Sequence, residues 1–168
     1  YNVYDANNNI VSTLTIGNDS TATTDYLPLG TYTVREVASS TGYYLDGTVY
    51  TVNVNSSSTI NLTVKETVIK GRIKILKNDR ETQSCQAQGE ATLVGAKYGI
   101  YDKNNNLVDT VVIDENCTGI SKQLPYGDYK VKEIEAPTGY NLSGDILEVM
   151  LRNSNTAAMY VEESVIKG

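Results

Sequence analysis

A lysine interrupts the apolar face of one predicted strand, where it could take part in buried ion pairing. In the segment GRIKILKND, strand alternation places Ile73, Ile75 and Lys77 on one face. The two isoleucines mark that face as the buried one, so the side chain of Lys77 points into the core as well. Burying an unpaired ammonium group is very costly, and we therefore expect Lys77 to meet a group of opposite charge.

Two glutamates lie on inward faces in the same way. Glu133 follows Tyr129 and Val131 at alternate positions of LPYGDYKVKE, and Glu163 follows Val161 in the last predicted strand. We expect the two carboxyl groups and the lysine to meet in one buried network. Because such a network has one positive and two negative groups, at least one carboxyl should hold a proton.

The sequence contains two copies of one unit. Residues 1–71 align without a gap with residues 98–168, at an offset of about 97, and roughly thirty of about seventy positions are identical. YDANNNIV matches YDKNNNLV, LPLGTYTVRE matches LPYGDYKVKE, and KETVIKG matches EESVIKG. This is the pattern of a tandem array.

The alignment assigns counterparts and predicts domain bounds. Glu36 and Glu66 of the first unit correspond to the two inward glutamates of the second. The alternation of Leu62, Val64, Glu66 and Val68 repeats that of the last strand of the second unit and predicts a last strand in the first unit. The segment 72–97, which carries the lysine, has no counterpart in the first unit. We therefore predict a truncated first domain, residues 1–70, without its N-terminal strand, and a complete second domain, residues 71–168. Another segment or molecule could supply the absent strand by strand complementation.

Both units have the period of β-structure. Val, Ile, Thr and Tyr alternate with polar residues, turn clusters such as NNN and STG separate the runs, and no stretch shows helical spacing. This spacing predicts an all-β fold of two tandem immunoglobulin-like β-sandwiches. The strands predicted in the second unit are 72–78, 96–102, 107–113, 119–123, 128–135, 145–152 and 157–165.

Composition excludes several classes of function. The 168 residues contain no His, which excludes imidazole metal sites and catalytic triads that use His as the base. The formal charge of −6 argues against a nucleic-acid partner, because phosphate binding needs clustered Lys and Arg. No apolar run is long enough for membrane insertion of this segment.

The segments IKILKND, LPYGDYKVKEIEAPTGYNL and VEESVIKG together resemble the CnaB, or SpaA-like, domains of Gram-positive surface adhesins and pilins. The resemblance implies a reverse immunoglobulin-type sandwich and an extracellular place on the cell surface. In that family the lysine matched by Lys77 commonly forms an amide with an Asn or Asp of the last strand. A glutamate matched by Glu133 transfers protons for that reaction.

The acceptor position departs from the family pattern, because Glu163 stands where Asn or Asp is usual. A neutral Lys77 could attack a protonated Glu163 carboxyl and release water, which would form an isopeptide bond. The same groups could instead remain an uncross-linked ion network. Asn153 and Asn155 are alternative acceptors.

Cys85 and Cys117 both lie in predicted loops of the second unit, and Ser20 stands at the first-unit counterpart of Cys117. In an extracellular sandwich this arrangement favours a disulfide bond, with two free thiols as the alternative. The cysteine spacing fits neither a redox CxxC motif nor a zinc site, and we predict no metal and no cofactor.

We therefore expect a structural protein, not an enzyme, with at most single-turnover self-cross-linking. The two units would be repeats of an adhesin stalk or pilus-like fibre, with neighbouring repeats or subunits as partners. The alternative is a module that binds host matrix protein or glycan through Tyr-rich loops. Tyr43, Tyr44 and Tyr140 lie near predicted turns and motivate that alternative.

Overall fold

Twelve β-strands and no helix form the regular structure of residues 1–167, the part of the chain that the computed structural model describes. This confirms the all-β prediction. Contacts divide the chain into one unit over Tyr1–Val68 and a second that begins at Ile69. Among the described residues no helix could cross a membrane.

The first unit contains one four-stranded antiparallel sheet in the order β2-β1-β3-β4. Its buried core is small and consists of Val3, Tyr32 and Val34. Asn8 takes a positive φ of 64° in the turn that joins the first two strands, as the NNN motif predicts. The strands are β1 (Asn2–Tyr4), β2 (Ile10–Thr13), β3 (Gly30–Arg35) and β4 (Val49–Val54).

The second unit is a sandwich of two sheets that share one core. One sheet has the order β11-β10-β6-β7 and the other has the order β12-β5-β8, with β9 paired to β5. The strands are β5 (Lys70–Asp79), β6 (Lys97–Tyr101), β7 (Leu107–Val112), β8 (Thr118–Ile120), β9 (Leu124–Pro125), β10 (Gly127–Glu135), β11 (Ile146–Leu151) and β12 (Thr156–Glu163). The seven predicted strands correspond to seven of these eight, whereas β9 was not predicted. Strand β10 ends before Pro137, which cannot donate to a ladder.

The first and last strands of the second unit are parallel neighbours. Strands β5 and β12 pair over eight positions, from Thr156 opposite Arg72 to Glu163 opposite Asp79. The other strand pairs in this unit are antiparallel. Ile73 and Ile75 are fully buried on the inner face of β5, which confirms the alternation proposed for that strand.

The first unit lacks the regular last strand that its sequence pattern predicts. Leu62, Val64, Glu66 and Val68 alternate like the residues of β12, yet residues 55–67 form no strand, and Val68 makes only an isolated bridge to Tyr43. In the second unit β5 supplies the hydrogen-bonding partner of β12. A periodic pattern specifies which side chains can share a face, but a strand forms only where a neighbouring strand accepts its backbone hydrogen bonds.

Candidate functional site

The structure brings Lys77, Glu133 and Glu163 together in the core of the second unit. The ammonium Nζ of Lys77 lies 2.7 Å from Glu163 Oε1 and 3.0 Å from Glu133 Oε1. It also donates a hydrogen bond of 2.8 Å to the hydroxyl of Tyr98. All four side chains are at least 97% buried. We call these four residues the buried lysine cluster.

Both sheets contribute to the buried lysine cluster. Lys77 of β5 lies opposite Val161 of β12, so Glu163 is two residues further along β12 on the same face. Glu133 of β10 lies opposite Tyr98 of β6 in the facing sheet. The cluster therefore joins the first and last strands of the unit, which are neighbours in one sheet, to the two central strands of the other sheet.

Burial and charge determine how the cluster is protonated. Removal from water raises the pKa of Glu163 above its ordinary value, and the nearby Glu133 carboxylate raises it further, although Lys77 and Tyr98 oppose this. Burial and the charges of Glu133 and Glu163 raise the pKa of Tyr98, which keeps its hydroxyl protonated as a donor to Glu163 Oε1 at 3.2 Å. The raised pKa of Glu163 is in the direction that the charge count from the sequence implies.

The second oxygen of Glu133 is fixed by the backbone. Glu133 Oε2 accepts a hydrogen bond of 2.8 Å from the N–H of Ser143, while Oε1 faces Lys77. Beside the cluster, Glu133 and Glu163 line a cavity of about 240 Å³, which Asp145 and Arg80 also border. Such a cavity has room for water beside the two carboxyl groups.

A further buried carboxylate, Asp79, was missed by the sequence reasoning. It accepts hydrogen bonds from the backbone N–H groups of Glu81 and Thr82 and from the side chains of Gln88 and Tyr140. Burial opposes ionisation of Asp79, yet these hydrogen bonds outweigh it and lower its pKa to about 2. The available signal was the alternation of β5, which continues from Lys77 to Asp79.

Tyr140 does not belong to an exposed tyrosine patch. Its side chain is only 3% exposed, because its hydroxyl donates to Asp79 at 2.7 Å and its ring packs in the core. This corrects the interpretation of Tyr140 as a candidate ligand contact. Tyr43 and Tyr44 of the first unit are 39% and 46% exposed.

Cys85 and Cys117 form a disulfide bond, with their Cα atoms 5.7 Å apart. The bond ties the loop that follows β5 to the turn before β8. The backbone N–H of Lys77 donates to the carbonyl of Cys117 at 2.8 Å. The disulfide is therefore anchored directly beside the strand position that carries the buried lysine.

The two asparagines considered as alternative acceptors for an amide bond with Lys77 lie far from that lysine along the paired strands. Asn153 and Asn155 lie exposed before Thr156, which pairs with Arg72 at the beginning of β5. Lys77 lies five residues further along β5. This placement does not bring either asparagine to the buried lysine cluster.

The first-unit counterparts also lie near one another. Tyr1, the counterpart of Tyr98, donates a hydrogen bond of 2.8 Å to Glu66 Oε1. Glu36 is 7% exposed, and its Oε2 accepts from the N–H of Asp46. Burial raises the pKa of Tyr1, and both glutamates contribute to the rise. Within residues 1–167, neither glutamate forms an ion pair with a lysine or arginine.

Comparison with known proteins places both units in one family. The model of the SpaA prealbumin-like fold domain matches residues 1–68 and again residues 71–164. The chain belongs to this SpaA family. The match confirms the resemblance seen in the sequence and the interpretation as tandem β-sandwiches.

Relatives with known names are surface proteins. The trypsin-resistant surface T6 protein of Streptococcus pyogenes is 44% identical over 57 residues, which are 34% of this chain and 11% of that protein. The collagen adhesin of Staphylococcus aureus is 34% identical over 104 residues, 62% of this chain and 8% of that protein. The chain thus spans a small part of either relative.

A solved structure resembles almost the whole chain. The TIE protein of Bacillus anthracis superimposes with a TM-score of 0.78 at 27% identity, and the match covers 98% of this chain and 30% of that one.

Among residues 1–167 no group of three or more His, Cys, Asp or Glu side chains could hold a metal ion.

Proposed function

We propose that the chain provides structural repeats of an extracellular adhesin stalk or pilus-like fibre at a bacterial cell surface. The family match to both units and the named surface relatives support this proposal. The partners would be neighbouring repeats or subunits of the same fibre. The work of the domains is mechanical, and no external substrate is required.

The parallel pairing of β5 with β12 is the observation that carries the proposal. Tension that enters at the N-terminal end of β5 and leaves at the C-terminal end of β12 pulls these neighbours in opposite directions. The backbone hydrogen bonds of the eight paired positions are then loaded together in shear. Lys77 and Glu163 lie across this pair at 2.7 Å, so separating the strands must also break their contact.

The chemical form that we propose for this clamp is an ion network. Lys77 contacts two carboxyl groups, and Tyr98 and the Ser143 N–H satisfy further polar atoms. A glutamate at the acceptor position has no ammonia to lose, and an ion pair with Lys77 removes the free amine that acylation needs. Sliding β12 past β5 would take Glu163 away from Lys77 and leave a donor of the buried ammonium group without its acceptor, which opposes the movement.

Intact mass and single-molecule pulling test the clamp. Under reducing conditions we expect the mass of the unmodified sequence, whereas a deficit of one water molecule would show a Lys77–Glu163 amide instead. In pulling under the same reducing conditions, which open the Cys85–Cys117 bond, we expect the second unit to extend fully, and Lys77→Met to lower its unfolding force. Lys97→Met is the matched control, since Lys97 forms an exposed ion pair with Glu135. Equal unfolding forces for both variants would contradict a clamp at Lys77.

A second candidate function is binding of a host matrix protein through the first unit. Its observation is the exposure of the adjacent tyrosines Tyr43 and Tyr44. The collagen adhesin relative suggests collagen as the first ligand to test. A surface-binding assay should lose its signal with Tyr44→Ala and keep it with Tyr160→Ala, an exposed tyrosine of the second unit. Binding that is absent or unaffected by Tyr44→Ala would exclude this candidate.

A further inference from the structure

The two cysteines of the disulfide bond differ in their access to solvent. Cys85 is exposed in the loop that follows β5, whereas Cys117 is only 4% exposed and belongs to the hydrophobic core. Thiol–disulfide exchange begins when a thiolate attacks one of the two sulfurs, and its rate depends on access to that sulfur. An incoming thiolate therefore reaches Cys85 more easily, since the core covers the approach to Cys117.

The loop that carries Cys85, residues 80–91, has few strong attachments to the rest of the second unit. Two small side chains of this loop, Ala87 and Ala91, pack against the hydrophobic core. Asp79 accepts hydrogen bonds from two backbone N–H groups and one side chain of the loop. A single hydrogen bond contributes less to stability than a disulfide bond commonly does. The covalent bond is therefore the strongest single attachment of this loop.

The same loop supports a turn and the segment that follows β12. Ala91 packs so closely on the turn that a Cβ added to Gly139 would lie 2.6 Å from the Cβ of Ala91. Gly139 in turn accepts a hydrogen bond of 2.8 Å from the N–H of Ile166. Beneath the loop, the hydroxyl of Tyr140 donates to the Asp79 carboxylate at 2.7 Å. Freeing the loop would thus remove a support of this end of the domain.

We propose that the Cys85–Cys117 bond is a thiol-exchange site, at which a small external thiol attaches to Cys85 and frees loop 80–91. The thiolate attacks Cys85 Sγ, a new disulfide bond forms to Cys85, and the bond between the two cysteines breaks. The electron pair of the broken bond leaves with the Cys117 sulfur, which then takes a proton from water. One disulfide replaces another, so no oxidant is needed. The proposal goes beyond the mechanical function proposed above and does not depend on it.

Reduced glutathione added to the oxidised full chain tests the exchange site. At early times we expect a mass gain of one glutathione per chain, with Cys85 modified about tenfold more often than Cys117 because of its better access. Cleavage after Lys and Arg separates the two cysteines into residues 81–97 and 104–122, so mass spectrometry of the peptides assigns the site. In urea the two cysteines should be modified to a similar extent, since unfolding removes their difference in burial.

Amide exchange of the glutathione adduct tests the release of the loop. We expect exchange within residues 80–91 to become about tenfold faster or more, while β6 and β10 stay protected, because the opening is local. Gln88→Ala, which removes a side-chain donor to Asp79, should increase exchange of the loop in the adduct further. Gln86→Ala, which changes an exposed residue of the same loop, should not.

Separate results would overturn the two parts of the proposal. Glutathione mainly on Cys117, equal modification of both cysteines in the folded protein, or no reaction before unfolding would each contradict the exchange site. Unchanged amide exchange in loop 80–91, or faster exchange throughout the second unit, would contradict a local release of the loop. The mass and pulling tests of Lys77 use the reduced protein, so neither result affects them.

Discussion

The two units share a sequence pattern but differ in how completely the corresponding side chains are buried. Glu163 is 2% exposed and contacts a lysine, whereas its counterpart Glu66 is only partly buried and keeps an oxygen without a partner. Tyr140 is buried against Asp79, whereas its counterpart Tyr43 is 39% exposed. In both cases the missing contact is one that β5 supplies in the second unit.

The difference shows that one strand organises much of the sandwich. Strand β5 provides the hydrogen-bonding partner of β12, the cation of the buried lysine cluster and the carboxylate that holds Tyr140. Its inner face also contributes Ile73 and Ile75, both fully buried. A unit without such a strand keeps its four-stranded sheet and its turns, but its last segment stays irregular.

The largest effect should follow from replacing Lys77, the positively charged residue of the buried lysine cluster. Lys77→Met leaves Glu133 and Glu163 buried without their partner, and we expect a loss of about 3–5 kcal/mol in the free energy of unfolding. Amide exchange of β5 and β10 measures this for the second unit alone. The surface control Lys97→Met should cost no more than about 1 kcal/mol. Equal losses in the two variants would show that the buried lysine cluster contributes no special stability.

The next effect should come from the disulfide, which only the second unit has. The Cys85→Ser, Cys117→Ser double variant should lose about 2–4 kcal/mol, because the bond closes a loop of 32 residues in the unfolded chain. The transition of the second unit should shift in thermal unfolding, while amide exchange in β1 and β3 stays the same. A shift in both units, or in neither, would contradict this assignment.

These two predictions rest on features that the sequence could reveal to different degrees. Alternation alone identifies Lys77, Glu133 and Glu163, because a period of two assigns faces without knowledge of the fold. It does not reveal Tyr98, whose role depends on β6 pairing with β10 so that it lies opposite Glu133. Alternation also places Asp79 on the inner face of β5, but it does not reveal the hydrogen-bond donors of Asp79, most of which come from the loop that follows the strand.

The same reasoning explains the wrong prediction in the first unit. Leu62, Val64 and Glu66 have the period of a strand, but periodicity contains no information on whether a partner strand is present. The turns, in contrast, are local. Asn8 and Asn105 have φ angles of 64° and 61°, as the two NNN motifs predict, because only a few residues determine that geometry.

The pH dependence of stability should separate two of the buried carboxyl groups of the second unit, those of Glu163 and Asp79. The pKa of Glu163 in the folded state lies above its ordinary 4.5, so the folded protein keeps a proton that the unfolded chain releases. That contribution is complete below the ordinary value and is lost as the pH rises through the raised pKa. Glu163→Gln, which mimics the protonated form, should remove this decrease from thermal unfolding curves.

Asp79 should act in the opposite direction. Its pKa falls from 3.8 to about 2 on folding, so its contribution is present above 3.8 and is lost as the pH falls toward 2. Asp79→Asn should therefore reduce stability at neutral pH and flatten this acid limb. A Glu163→Gln protein with an unchanged profile above the ordinary glutamate pKa, or an Asp79→Asn protein with an unchanged acid limb, would contradict the corresponding assignment.

The smallest effect should come from changes in the NNN hairpin turns. It should be the same in both units, because both units contain this turn. Asn8→Ala and Asn105→Ala place a residue with a Cβ in the left-handed region, where Ala is disfavoured, and each should cost about 1 kcal/mol. Asn8→Gly and Asn105→Gly should be nearly neutral, since glycine accepts positive φ. Unit-specific amide exchange measures all four variants. A cost confined to one unit would mean that the hairpin turns, like the terminal strands, differ between the copies.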